Sequence, residues 1–317
     1  MVTRRIRRQM GEREPILVVS DGHSVPFSKG LLGQSLTATG LDPEKAYRVG
    51  MQVEARLRQL GMLRVPVSML PDLVSQVVEE QAGSLYYDRY LTWHELSYSQ
   101  RPVIILVGGG TGVGKSTLAS QLANRLGLVR IISTDTIRQV MRAFFSPTLM
   151  PAIHYSSFES DLAMQMPLQE EADPVLLGFA EQVKLLNVGA QAVVDRAVQE
   201  GQRMVLEGVH LVPGFIPSCA DARALILPLV VAVRDEGLHR GHFVVRERET
   251  DGRRPVERYL ENFGNIRKIQ DFILERSQSE GTLVIENHDI DEAVGLAVDA
   301  LYELIEEKQE GDEGRGA

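Results

Sequence analysis

The chain has 317 residues, 44% of them hydrophobic and 24% charged, with a formal net charge of −9 at pH 7. That length predicts about two domains, the composition excludes large-scale disorder, and no apolar run approaches the roughly 18 residues needed to span a bilayer. The excess of acids argues against nucleic acid as a partner, because that affinity rests on neutralising phosphates with Lys and Arg, and the lone Cys219 excludes a disulfide framework or multi-cysteine metal site and fits a reducing, cytoplasmic setting.

Residues 1–14 are basic but lack the apolar stretch of a secretory signal, so they read as a flexible cap on the first strand, with a transit peptide or nucleic-acid arm as the sharper alternative. In residues 15–98, "EPILVVSDGHSVPFSKG" predicts a hairpin turning at Asp21-Gly22. "SLTATG", "DPEKAYRVGMQVEARLRQLG" with Asp42 as cap and Pro43 at the first helical position, and "SMLPDLVSQVVEEQAG" predict helices, closed by "YYDRYLTWHELS". The segment reads as a small α+β domain.

A boundary falls near "SYSQRPV", and residues 99–306 form the second domain. "VIILVG" is apolar without alternation, as in a strand buried on both faces. Similar runs follow at 128–134, 203–208, 225–233 and 281–287, with helical segments between them. This order predicts an α/β fold with a doubly wound, mostly parallel sheet, whose ligands bind outside the carboxyl ends of the strands. The Gly-rich, acidic residues 307–317 read as a flexible tail.

Gly109 through Ser116 match G-x-x-x-x-G-K-[ST] between the first apolar strand and a helix. The glycines let backbone N–H groups turn inward around phosphate oxygens, so Gly110, Thr111, Gly112, Val113, Gly114, Lys115, Ser116 and Thr117 are candidate nucleotide-binding residues. Lys115 reaches the β- and γ-phosphates and the Ser116 hydroxyl ligates Mg²⁺. The chain has no N-K-x-D guanine motif, which favours a small-molecule kinase using ATP and Mg²⁺ over a GTPase.

The next strand, "LVRIIST", runs into Asp135, a candidate base or orienting acid for an acceptor hydroxyl, with the cap of the following helix as the alternative. Arg138 and Arg142, one turn apart, are candidates to clamp an anionic substrate. Glu207 ends the strand "RMVLEG" as a second acid for Mg²⁺, acting on the metal or through water, and His210 behind it is a candidate substrate contact or a structural hydrogen-bonder. Between 240 and 268, Arg246, Arg248, Arg253, Arg254, Arg258, Arg267 and Lys268 gather around a Thr250-Asp251-Gly252 break. Read as a mobile lid, they neutralise charge on the transferred phosphoryl group, with Arg246 and Arg248 as catalytic candidates. The interspersed acids leave a salt-bridged surface helix as the alternative.

Taken together, "GGGTGVGKSTLASQLANRLGL", "ISTDTIRQVMR", "SPTLMPAIHYSSF", "LEGVHLVPGFI", "HFVVRERE" and "RYLENFGNIRKIQDFI" resemble the 2-phosphoglycerate kinase family of P-loop kinases, from residue 15 to about 300. The resemblance implies ATP-dependent phosphorylation of the 3-hydroxyl of 2-phosphoglycerate, a small anionic acceptor, and places His154, Ser156 and Ser157 beside the acceptor pocket. The alternatives are another phosphorylated or polyol acceptor, or a nucleotide-sensing protein. "VVSDGHSVPFSKGLLGQSL" is similar to an ATP-cone, with Val19 and Ser20 where that module carries basic residues. Regulatory nucleotide binding, a structural role and homo-oligomer formation are all open to this domain.

Overall fold

A computed structural model of the chain describes residues 14–99, 101–164, 172–219, 221–249 and 255–313. Two compact units divide at Ser99 and Gln100.

In the first unit, β1 (Leu17–Ser20) and β2 (His23–Pro26) pair antiparallel. Asp21 and Gly22 both take positive φ, 45° and 80°, as the tight hairpin turn between right-twisted strands requires. A third strand, β3 (Arg64–Pro66), adds parallel to β1 in the order β2-β1-β3. No periodicity announces it, because it is short and ends on proline. Helix α1 (Lys29–Leu36) starts well before "SLTATG", which instead supplies its end and a 3₁₀ turn, Thr37–Thr39. Helix α2 (Pro43–Gln59) is capped by Asp42, whose carboxylate accepts from the Glu44 and Lys45 amides. Helices α3 (Leu70–Ala82) and α4 (Ser84–Tyr98) complete a core that includes Leu36, Val53, Leu57 and Val78.

The second unit is built on a five-stranded parallel sheet in the order β5-β6-β4-β7-β8. The strands are β4 (Val103–Gly109), β5 (Arg130–Ser133), β6 (Arg203–Glu207), β7 (Leu225–Ala232) and β8 (Leu283–Glu286). All of β4 is buried, which explains its unbroken apolar run. The helices are α5 (Lys115–Arg125), α6 (Thr134–Phe144), α7 (Pro174–Gln199), α8 (Glu236–Glu249), α9 (Val256–Glu261), α10 (Phe263–Glu280) and α11 (Ile290–Glu313). Two expectations need correction. Strand β5 ends at Ser133, so Asp135 lies in the first turn of α6 and not on the strand edge. Helix α11 runs through the expected tail to Glu313, anchored by buried Leu301, Tyr302 and Ile305 and continued by glutamates of high helix propensity.

Candidate active site

The motif loop joins the end of β4 to α5, and its backbone is held from outside. Lys115 Nζ donates to the Gly110 carbonyl at 2.6 Å, His239 Nε2 to Thr111 at 2.8 Å, His242 Nδ1 to Gly112 at 2.9 Å and Asn287 Nδ2 to Val113 at 2.9 Å. Four successive carbonyls are thus satisfied by side chains, which leaves the loop's N–H groups for a ligand on the other side. Gly112 has φ +86°, and a Cβ there would lie 2.5 Å from Phe243 of α8, so both backbone and packing require glycine.

Lys115 is buried; desolvation pulls its pKa below the usual lysine value, while Glu207 and Asp135 act against that. A phosphate reaching the loop supplies the missing countercharge. Ser116 Oγ donates to Glu207 Oε1 at 3.1 Å. Neighbouring oxygen ligands of an octahedral Mg²⁺ with bonds of about 2.1 Å lie about 3 Å apart, so this pair fits two adjacent positions. Among the described residues no cluster of three or more His, Cys, Asp or Glu is placed for a metal. That donor set suits an ion whose other ligands are phosphate and water.

Helix α6 is capped by Ser133, whose hydroxyl accepts from the Thr136 amide at 3.0 Å. Ser133 is therefore the cap, and the Asp135 carboxylate is released from that role. Its side chain is 60% exposed and pairs with Arg138 at 3.1 Å. Enough protein surrounds the carboxyl for desolvation to push its pKa up, but the positive charges of Arg138 and Lys115 outweigh this and hold it below the ordinary value. Asp135 is thus held as a carboxylate, able to accept hydrogen bonds beside Arg138.

Residues 87–161 match the Zeta toxin family model. The 2-phosphoglycerate kinase of Methanothermobacter thermautotrophicus is 37% identical over 88% of this chain and 91% of its own length. Those of Methanopyrus kandleri and Thermococcus kodakarensis are each 36% identical over 92% of this chain, covering 88% and 99% of their own lengths. The chain belongs to the 2-phosphoglycerate kinase family. Among solved structures, a gluconokinase from Sinorhizobium meliloti 1021 aligns at 15% identity and TM-score 0.39 over 66% of this chain and 97% of its own.

In this 2-phosphoglycerate kinase family member, the remaining expected site residues divide. Arg138 is nearly buried and donates to the Tyr155 carbonyl at 2.6 Å, whereas half-buried Arg142, in the last turn of α6, makes no hydrogen bond or ion pair among the described residues. His154 ties its ring to the Phe145 carbonyl at 2.9 Å, Ser156 accepts from Arg258 at 3.0 Å, and Ser157 is buried. His210 is only 1% exposed, with Nδ1 on Thr134 and Nε2 on Gln182, both at 2.9 Å. Both ring nitrogens are occupied inside the protein, which is the arrangement of the structural hydrogen-bonder alternative.

The arginine-rich segment of this kinase forms the end of α8, α9 and the start of α10. Residues 250–254, with the Thr250-Asp251-Gly252 break, Arg253 and Arg254, lie outside the described residues. Arg246 sits over the Tyr259 ring at 5.6 Å and Arg248 is exposed. Arg258 holds Glu159, Lys268 pairs with Asp173 at 2.7 Å, and Arg267 donates to the Val233 and Arg234 carbonyls. These last three are engaged in ties within the unit. His239, His242, Asn287 and Gln182 escaped the sequence reading. "HRGH" beside an apolar helix face carries no spacing signal of its own, and the carbonyls these side chains serve are remote in sequence.

Proposed function

We propose that this protein transfers the γ-phosphoryl group of Mg²⁺-ATP to the 3-hydroxyl of 2-phosphoglycerate, giving ADP and 2,3-diphosphoglycerate. The observation that supports the reading is the Ser116–Glu207 hydrogen bond of 3.1 Å beside Lys115 of the phosphate loop, with the Asp135 carboxylate left free of the helix cap by Ser133. Loop N–H groups and Lys115 bind and orient the β- and γ-phosphates. Ser116 and Glu207 would hold Mg²⁺, which would supply neutralisation of the phosphate charge. Asp135 accepts the hydrogen bond of the acceptor hydroxyl and takes its proton as that oxygen bonds to the γ-phosphorus and the bond to the β,γ-bridging oxygen breaks. Arg138 and Arg142 face the acceptor's anionic groups, and Arg246 and Arg248 approach the transferred phosphoryl group on lid closure.

For the N-terminal unit we favour a structural role over nucleotide binding. Lys29 and Arg58 both pair with Glu54, at 3.0 and 2.9 Å, and Arg56 pairs with Glu80 at 2.8 Å. These cations already have carboxylate partners.

The deciding experiment is ADP release from Mg²⁺-ATP with 2-phosphoglycerate, with 3-phosphoglycerate and without acceptor, alongside Asp135→Asn. Selective stimulation by 2-phosphoglycerate that Asp135→Asn lowers by roughly 10²-fold or more supports both substrate and residue. Equal rates with and without acceptor refute the named substrate.

A further inference from the structure

A ring of polar contacts closes around the first turn of α6. Asp135 pairs with Arg138 at 3.1 Å, and Arg138 Nη1 donates to the Tyr155 carbonyl at 2.6 Å. Gln182 Nε2 donates to the same carbonyl at 3.1 Å and to that of Ala152 at 2.7 Å. Gln182 Oε1 meets His210 Nε2, and His210 Nδ1 meets Thr134 Oγ1, both at 2.9 Å. The peptide bond from Thr134 to Asp135 completes the circuit.

Chemistry assigns every proton in it. Carbonyls only accept, so the Gln182 NH₂ must face Ala152 and Tyr155, which turns its oxygen to His210. His210 therefore donates from Nε2. A neutral imidazole has one N–H, so Nδ1 accepts and Thr134 must donate its hydroxyl proton. Burial, aided by Arg138 and Lys115 and opposed by Asp135, pushes the His210 pKa down to about 3, which keeps the ring neutral.

The setting is apolar and tight. Gln182 is 0% exposed, and Thr134 and His210 are each 1% exposed. On α7 the neighbouring core positions are Phe179, Val183 and Leu186, so an aliphatic residue at 182 would extend the same buried face. A Cβ on Gly208 would fall 1.8 Å from Thr134 Oγ1, so that hydroxyl lies hard against the turn after β6. A buried amide with every group matched favours one arrangement over its alternatives.

We infer that Gln182 is a positioning residue: through His210 and Thr134 on one side and the Tyr155 carbonyl on the other, it fixes the first turn of α6 and aims Asp135 and Arg138 at the acceptor. This rests on the reading that those two residues serve the acceptor. Gln182, His210 and Thr134 are buried and act through Asp135 and Arg138.

The test has an arm that does not depend on activity. In the full-length protein with ¹⁵N-labelled histidine, NMR should show His210 as the Nε2–H tautomer, unchanged from about pH 8 to about pH 5; an Nδ1–H ring or an imidazolium in that range overturns the inference. In the kinetic arm, Gln182→Met and Thr134→Ala should each lower kcat/KM for 2-phosphoglycerate by roughly tenfold or more, with ATP Kd measured without acceptor staying within about twofold. Thr134→Ser, which keeps the hydroxyl, should restore the value. Unchanged acceptor kinetics, or an equal loss of ATP affinity, overturns the inference. If Gln182→Met does not fold, the Thr134 pair decides. Asp135→Asn run in parallel separates the two claims: if it leaves acceptor kinetics intact, the reading of Asp135 fails, and if it alone is impaired, only the role of Gln182 fails.

Discussion

The Nε2–H of His239 meets the carbonyl oxygen of Thr111 at 2.8 Å, tying the first half of α8 to the phosphate loop across 128 positions of sequence. The other ring nitrogen faces Arg267 at 3.4 Å, and the ring stacks on Phe243 with centroids 5.4 Å apart. The helix that leads into the arginine-rich segment therefore also shapes the cradle for the nucleotide. His239→Ala leaves the Thr111 carbonyl without this partner, at a cost of about 1–3 kcal/mol. The expected result by calorimetry is ATP binding weakened roughly tenfold, with the acceptor KM at saturating ATP unchanged.

Acid should destabilise the fold in a defined window. Burial takes His239 down to about 4 and His210 down to about 3. Unfolded imidazoles bind protons below about pH 6.5, so between there and the folded values the unfolded state holds more protons. Stability is complete above that pH and falls as pH drops through the window, at up to about 1.4 kcal/mol per pH unit for each histidine. Urea titrations across the window test this, and His210→Asn should flatten the slope. Parallel slopes for the two proteins would contradict it.

Gly112→Ala forces an L-residue to φ +86° and sets its Cβ 2.5 Å from the Phe243 ring. A stability loss of about 1–3 kcal/mol is expected together with weakened ATP binding. Phe243→Leu in the same protein relieves the collision but not the dihedral strain, so thermal melts should show partial recovery only.

Ser116 and Glu207 are bonded to each other, so their effects on the metal should not add. Ser116→Ala and Glu207→Gln are each expected to raise the Mg²⁺ concentration for half-maximal activity, and the double variant should fall short of their product. A multiplicative double variant would mean that the two oxygens act on separate steps.

With Lys29, Arg56 and Arg58 of the N-terminal unit each paired with a carboxylate, equilibrium dialysis with ATP should give one nucleotide per chain. Lys115→Ala should abolish that binding. A second, Lys115-independent site would restore the regulatory role for the first unit.

The features that could be read early share one property: they are local. The phosphate loop is a contiguous pattern between a strand and a helix, and the parallel sheet follows from separated apolar runs. The Asp21-Gly22 turn and the Asp42 cap likewise depend on near neighbours in the chain. By contrast β3, only three residues long and ending on proline, pairs with β1 across more than forty positions and has no pattern of its own.

By itself the sequence determined the alternation of strands and helices in the second unit and the contiguous phosphate-loop pattern, because backbone turns and burial periodicity are encoded over a few residues. Only the tertiary structure decided which partners the polar side chains meet. Ser133 caps α6 and frees Asp135, Gln182 and Thr134 occupy both nitrogens of His210, and His239, His242 and Asn287 hold a loop far from them in the chain. The reason is that a buried polar side chain takes its meaning from the partner that satisfies it, and folding, not spacing, chooses that partner.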